Sequence, residues 1–236
     1  QPGRTAPVVA EHTLGLIFAL SKRAAYFTSE IKAGGWPRLD NVFLQGKTLG
    51  IIGTGHIGSE LSRLANALGM NVIAWTFNPS DEKAAAYGLR YVALEQLLGT
   101  ADVVSLHISL TQDTHHLMGS REFGHMKKDA LFINCGRGGL VDTDALIEAL
   151  KSGHLGGAGI DVFNPETKKT PRPDLLTEVE LEAFNGWYAT CRKPKFGQSH
   201  KEATQTAWGL LMESMEVMCV EGRGRYAPKN LERKND

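Results

Sequence analysis

Chemistry is concentrated between Gly50 and Trp75, where Gly53, Gly55 and Gly58 stand in a Gly-Thr-Gly-His-Ile-Gly run. That spacing suits a pyrophosphate. The first glycine permits a tight turn, the second lets a phosphate approach the backbone with no Cβ in the way, and the third lets a helix lie close on a sheet. The N–H groups of His56, Ile57 and Gly58, at the positive end of that helix, would face the phosphate oxygens. His56 is read as a solvent-facing turn residue whose backbone does the binding. The motif alone is a weak signal. Here the apolar run Thr48–Ile52 precedes it, a helical pattern (Ile57, Leu61, Leu64, Leu68) follows and ends at Gly69, and a second apolar run, Asn71–Trp75, closes the unit. That context turns a glycine-rich turn into a dinucleotide clamp.

The adenosine ribose of a dinucleotide is usually read by an Asp or Glu about 20 residues on, at the end of the second strand. That place holds Thr76-Phe77-Asn78-Pro79 and no carboxylate. Thr76 and Asn78 can hydrogen-bond the ribose and Phe77 can flank adenine. The missing acid removes the repulsion that excludes a 2′-phosphate, but no Arg compensates. Lys83 is near, while Asp81 and Glu82 at the start of the next helix oppose a phosphate. NAD is the expected cofactor, with NADP possible.

The elements that would position this turn alternate along the chain. Val103–Leu106 reads as a strand, residues 120–126 as a short helix capped by Ser120, residues 130–133 as a strand, Thr143–Lys151 as a helix and residues 158–162 as a strand. Short continuous apolar runs between helices indicate a parallel sheet buried on both faces. Ahead of it, residues 8–32 read as one long amphipathic helix with Ile17, Leu20, Ala24, Phe27 and Ile31 on one stripe, stopped by Gly34, Gly35 and Pro37. Beyond Pro165 the alternation fails in a polar, proline-bearing stretch. A last helix is expected over residues 199–221, with Ala203, Ala207, Leu210, Leu211 and Met218 on its core side and Gly222 and Gly224 ending it. The fold class is α/β, a doubly wound parallel (Rossmann) sheet with a long N-terminal and a C-terminal helix.

Composition narrows the function classes. Among 236 residues, Lys+Arg and Asp+Glu both number 26, so no global field draws in nucleic acid or an anionic membrane. The basic cluster Arg192, Lys193, Lys195 and Lys201 lacks interleaved aromatics and reads as a solvated loop. Cys135, Cys191 and Cys219 are too scattered for a disulfide framework or a paired-cysteine metal site, which fits a reducing, cytoplasmic setting. Glu11 and His12 interrupt the most apolar early stretch, so it reads neither as a membrane span nor as a secretory signal. His115, His116, His125 and His154 show no spacing that points to a metal, and none is expected.

Five segments then resemble one family. They are Pro7-Val-Val-Ala-Glu-His12, Gly50-Ile-Ile-Gly-Thr-Gly-His-Ile-Gly58, Asp102-Val-Val-Ser-Leu-His107, Ile133-Asn-Cys-Gly-Arg-Gly-Gly-Leu-Val-Asp142 and Gly157-Ala-Gly-Ile-Asp-Val-Phe163. In this order they resemble the D-isomer-specific 2-hydroxyacid dehydrogenases, which include phosphoglycerate and glyoxylate/hydroxypyruvate reductases. The resemblance implies a cofactor lobe and a smaller substrate lobe. Residues 1–198 match the NAD(P)-binding Rossmann domain, with an interdomain helix at 8–33. Residues 199–236 match a C-terminal helix and tail of the substrate lobe, most of which the chain is expected to lack.

The same resemblance assigns roles. Arg137 matches the Arg that grips the substrate carboxylate and polarises the ketone, a task suited to a planar fork of donors. Glu166 matches the Glu that supports the catalytic His, and Asp161 the residue that holds the nicotinamide carboxamide. His107 and Thr111 fall on the loop lining the cofactor cleft, and Cys135 reads as a small packing residue beside the nicotinamide. The family's His falls at Lys195, in Lys193-Pro194-Lys195-Phe196-Gly197. A lysine, with an ordinary pKa of about 10.4, can give a proton in ketone reduction but is a poor base for alcohol oxidation. A Glu166–Lys195 ion pair without a catalytic role is the alternative.

The resemblance thus implies an oxidoreductase passing hydride between a nicotinamide cofactor and a small 2-oxo or 2-hydroxy acid, and a homodimer formed through the long helix. Lys195 and the missing lobe favour a second reading, a catalytically silent NAD(P)-binding module. A methyltransferase binding S-adenosylmethionine at the glycine turn leaves Arg137 and Asp161 without work.

Overall fold

The structure, a computed structural model, describes residues 5–162 and the backbone of 219–221. Two helices lead, α1 (Ala6–Ser21) and α2 (Ala24–Lys32). There follow β1 (Thr48–Ile52), α3 (His56–Ala67), β2 (Asn71–Trp75), α4 (Asp81–Tyr87), β3 (Arg90–Tyr91), α5 (Leu94–Thr100), β4 (Val103–Leu106), α6 (Ser120–His125), β5 (Leu131–Asn134), α7 (Thr143–Lys151), β6 (Gly157–Ile160) and β7 (Cys219–Glu221). The sheet order is β3-β2-β1-β4-β5-β6-β7. The first six strands run parallel, and β7 pairs antiparallel with β6. Chain direction across the sheet reverses between β1 and β4, which makes their carboxyl ends the switch point of a doubly wound fold.

Alternation along each strand feeds two cores. Leu49 and Ile51 of β1, Val103 of β4, and Leu131 and Ile133 of β5 pack with Leu16, Ile17 and Leu61 beneath α1 and α3. Ile52, Val104, Leu106 and Phe132 face the other way and pack with Leu97, Phe123 and Leu146 of α5, α6 and α7. Gly50 lets α5 sit directly on β1, because a Cβ there would come within 2.6 Å of Leu97. α1 is seated in the same fashion on the far side: a Cβ on Gly159 of β6 would lie 3.2 Å from the Leu16 Cβ.

Two expected elements differ. The long N-terminal helix is broken at Lys22 and Arg23, where Arg23 takes a left-handed conformation (φ 50°). The Ser21 carbonyl, which a continuous helix would use internally, accepts the Val42 N–H at 2.9 Å, and the Lys22 ammonium donates to the Val42 carbonyl at 2.7 Å. The returning segment therefore takes over the ladder at that point. The stripe divides with it: Ile17 and Leu20 are buried in the core, whereas α2 buries no residue. At the other end, Cys219–Glu221 forms β7 rather than the last turn of a helix. A short apolar run fits either state, and here it occupies the free edge of β6. The remainder of the expected last helix lies outside the described residues.

A smaller correction concerns α6. Its cap position is Gly119 rather than Ser120, and the Glu122 carboxylate accepts the Gly119 N–H at 3.2 Å. None of the described helices is long and apolar enough to cross a membrane.

Candidate functional site

Each glycine of the turn has a separate job. Gly53 leaves β1 with φ 100°, donates its N–H to the Trp75 carbonyl at 2.8 Å, and has no room for a side chain: a Cβ would lie 2.7 Å from the backbone of His107. Gly58 packs as tightly, since a Cβ there would fall 2.1 Å from the Gly53 carbonyl oxygen. Gly55 is the opposite case, with nothing within 4 Å of its virtual Cβ. The open space lies above the N-terminus of α3, whose cap position is Gly55 and whose first turn has no side-chain cap. Unclaimed N–H groups at the positive end of a helix are what a phosphate requires. His56 is exposed, as its backbone role predicts. A cavity of about 390 Å³ adjoins Gly55 and His56, with Ala6 and Pro7 of α1 and Lys83 of α4 on its walls.

The ends of β2 and β3 border the turn. Thr76 is half-buried, Phe77 and Asn78 are exposed, and the Phe77 ring stands edge-on to Trp75 with centroids 4.9 Å apart. The Lys83 ammonium reaches back to the Thr54 carbonyl at 3.3 Å, and the Thr54 hydroxyl shares a hydrogen bond of 2.9 Å with the Tyr91 hydroxyl. Lys83 is thus engaged by the turn itself.

Across the switch point, His107 continues β4 and donates its N–H to the Ile52 carbonyl at 2.7 Å. Its Nε2 lies 2.9 Å from the Ser105 hydroxyl, and its Nδ1, with under 1 Å² exposed, has no hydrogen-bond partner. Burial pushes the imidazole down to about 4, so the ring is neutral at pH 7. Thr111 is committed to its own loop: its N–H donates to the Thr114 hydroxyl at 2.7 Å, and the two hydroxyls lie 3.2 Å apart. Thr114, buried, is the organiser that the sequence did not announce.

Arg137 lies exposed on the loop after β5, with its guanidinium donating to the Gly136 carbonyl at 2.8 Å. What places it is Asn134. This buried amide donates to the Arg137 carbonyl at 3.1 Å and accepts the Gly136 N–H at 3.0 Å, closing the loop like a staple. An Asn that ends an apolar strand and directly precedes Cys-Gly-Arg-Gly is the one sequence signal that could have found it.

Cys135 is buried in contact with the Thr13 hydroxyl, and burial, with a lesser contribution from Asp161, pushes its thiol up to about 12. It is a thiol rather than a nucleophile. Asp161 follows β6, with its N–H donating to the Asn134 carbonyl at 3.0 Å, and its carboxylate lies 3.4 Å from His12 Nε2. His12 was not among the predicted site residues. Glu166 and Lys195 lie outside the described residues.

A parallel sheet with a glycine turn at its switch point defines a dinucleotide-binding protein. The family described as D-isomer specific 2-hydroxyacid dehydrogenase, NAD binding domain, matches residues 14–182, and the chain belongs to it. NAD is the dinucleotide of this domain, and the open space over Gly55 and the uncapped α3 N-terminus fit it. The D-3-phosphoglycerate dehydrogenase of Methanocaldococcus jannaschii is 40% identical over 91% of this chain and 40% of that protein. The glycerate dehydrogenase of Methylorubrum extorquens is 40% identical over 89% of this chain and 64% of that protein. A crystal structure of D-lactate dehydrogenase with NAD+ from Lactobacillus jensenii superposes with a TM-score of 0.67 at 32% identity, covering 78% of this chain and 57% of that one. The chain thus spans about half the length of the curated relatives it matches.

Proposed function

We propose that the chain is the cofactor-binding part of a dehydrogenase that interconverts a small 2-oxo acid and its D-2-hydroxy acid. The observation behind this reading is the pairing of the glycine turn at the switch point with Arg137 on the neighbouring β5 loop, held by Asn134. NAD, when bound, supplies or accepts the hydride. The α3 N-terminus and Gly55 would seat the pyrophosphate, Thr76, Phe77 and Asn78 the adenosine, and His107, Thr111, Cys135 and Asp161 would line the nicotinamide side. Arg137 would clamp the substrate carboxylate with two parallel N–H donors and polarise the ketone. Lys195, supported by Glu166, would hold the proton delivered to the ketone oxygen, which biases the reaction toward reduction. In this reading residues 1–198 are the cofactor lobe, 199–236 are the tail assigned to the substrate lobe, and the setting is cytoplasmic.

Lys195 in the place of histidine supports one alternative, a nucleotide-binding module without turnover. A single assay separates the two: purified protein with NADH or NADPH and glyoxylate, hydroxypyruvate or pyruvate, followed at the nicotinamide absorbance. Substrate-dependent oxidation is expected. Cofactor fluorescence that changes on binding, with no oxidation of any of the three acids, would leave only the silent module. The proposal also includes a homodimer through the N-terminal helices, because Val8 (67%), Trp36 (77%) and Phe43 (67%) expose large apolar side chains near them. Sedimentation showing only monomer at high concentration would count against that part.

A further inference from the structure

Three metal-ligating side chains from separate segments of the chain converge beside the ends of β5 and β6. His12 comes from α1, Cys135 from the residue after β5 and Asp161 from the residue after β6. Their ligating nitrogen, sulfur and oxygen all lie within 4.8 Å of one another. We propose that His12, Cys135 and Asp161 form a binding site for a zinc-class divalent cation.

The donor set selects the ion. Imidazole nitrogen, thiolate sulfur and carboxylate oxygen are the ligand types of Zn²⁺, whereas Mg²⁺ and Ca²⁺ favour oxygen alone. Thiolate and carboxylate together bring two negative charges, which a dication neutralises. Three protein ligands leave one tetrahedral position for water or a ligand. The geometry is close. Tetrahedral bonds of about 2.0–2.3 Å set ligand atoms about 3.3–3.8 Å apart, and the His12 Nε2–Asp161 Oδ1 separation is already 3.4 Å. Closing the rest takes small rotations of the His12 and Asp161 side chains, each with 23% of its surface exposed.

The frame is rigid. β5 and β6 are neighbouring strands, tied at this point by the Asp161 N–H to the Asn134 carbonyl, and α1 is seated on β6 through Gly159. His12 supplies an independent sign of a missing ligand. Its Nε2 has under 1 Å² exposed and forms no hydrogen bond, with the Asp161 oxygen at an ion-pair distance of 3.4 Å. A buried nitrogen in that state is costly, and coordination is what would satisfy it. Because the thiol must lose its proton to the solvent as the ion binds, affinity rises with pH and one proton is released per ion.

The site has a consequence for the proposed function, and that consequence rests on the assignment of Asp161 to the nicotinamide carboxamide. An ion held by Asp161 would compete with the nicotinamide half of the cofactor and leave the adenosine half alone. Zn²⁺ should then weaken NADH binding while ADP-ribose binds as before.

The test uses the full chain, reduced and metal-free, titrated with Co²⁺ as a spectroscopic stand-in for Zn²⁺. One equivalent should give a sulfur-to-cobalt charge-transfer band and tetrahedral visible bands, both removed by Zn²⁺. Cys135→Ser should abolish the charge-transfer band, and His12→Gln and Asp161→Asn should each weaken Co²⁺ binding about tenfold or more, near 1.4 kcal/mol. No such band at micromolar Co²⁺ overturns the proposal. So does a band that survives in Cys135→Ser, which would assign the thiolate to Cys191 or Cys219. Should Cys135→Ser fail to fold, Zn²⁺ protection of Cys135 from alkylation in the unmodified chain decides, read by peptide mass; equal labelling with and without Zn²⁺ refutes the site. A chain that binds Co²⁺ as described but neither NADH nor ADP-ribose would sink the dehydrogenase reading and leave the metal site standing.

Discussion

Gly55 and Gly58 differ by three residues and should fail in opposite ways when each becomes alanine. At Gly55 the new methyl meets nothing within 4 Å, and the backbone (φ −71°, ψ −166°) is open to alanine. Alanine is the poorer cap by several tenths of a kcal/mol, but it also restricts the unfolded chain by about 0.4–1 kcal/mol, so folding stability should barely move. The methyl does project into the space a pyrophosphate needs. Loss of two charge-assisted hydrogen bonds at about 1.5 kcal/mol each weakens binding by about 3 kcal/mol, or more than 100-fold. At Gly58 the methyl would sit 2.1 Å from the Gly53 carbonyl oxygen, and both atoms belong to backbone that cannot rotate away. At so short an approach the overpacking lies in the upper part of its range, about 2–3 kcal/mol, and outweighs the roughly 1 kcal/mol that alanine gains in a helix, leaving a net loss near 1–2 kcal/mol.

Thermal unfolding with and without NADH reads both effects. NADH at 100 times its Kd stabilises the wild type by about 2.7 kcal/mol, or about 5–11 °C in Tm. Gly55→Ala should melt where wild type does without ligand, yet gain only about 0.3 kcal/mol from the same NADH. Gly58→Ala should melt about 2–8 °C lower before any ligand is added. A Gly55→Ala protein that keeps the full NADH shift, or a Gly58→Ala protein that melts like wild type, would refute the division of labour between the two glycines.

His107 makes stability pH-dependent. Its folded pKa of about 4 lies below the ordinary 6.5, so its contribution is present above pH 6.5 and is lost as pH falls toward 4, by up to about 3 kcal/mol. Urea unfolding from pH 7 to 4 should show that slope, and His107→Gln should flatten it. Arg137→Met should lower kcat/KM for a 2-oxo acid about 100-fold or more and leave NADH binding intact; an unchanged kcat/KM would remove Arg137 from the site. Asn134→Ala opens the staple and takes the partner from the half-buried Gly136 N–H, while the Arg137 carbonyl keeps the Leu140 N–H, so stability should drop by about 1 kcal/mol. It should also reduce kcat/KM less than Arg137→Met does, because Asn134 acts by positioning; an effect as large as that of Arg137→Met would argue for direct contact with substrate.

The sheet was legible because its strands are buried on both faces and punctuated by glycine. Thr48–Ile52, Asn71–Trp75 and Val103–Leu106 stand where their apolar runs place them. Short elements carried too little pattern: the two-residue β3 and the seven-residue α5 went unread. The helix break at Arg23 was invisible for another reason, since its cause is the Val42 N–H arriving from a distant segment. Within the turn, the tight conformation at Gly53 and the close packing at Gly58 could be read from spacing because they are backbone roles. Asn134 acts within its own loop and left only the signal of an Asn before Cys-Gly-Arg-Gly, whereas the grouping of His12, Cys135 and Asp161 depends on which strand ends lie side by side. Thr114 is a further case: its hydroxyl accepts the Thr111 N–H and donates to the Ser109 carbonyl, a loop arrangement that no periodicity announces.

The near contact between Gly53 and the His107 backbone joins the β1 turn and the β4 loop into one piece, locked further by the His107 N–H on the Ile52 carbonyl. The floor of the cleft is therefore finished before any cofactor arrives. A dinucleotide landing on it orders no protein backbone there, so arrival is governed by diffusion and orientation and is nearly the same for every variant of the seat. Differences in affinity among such variants should then be written in the departure rate, making residence time the quantity to measure at this turn.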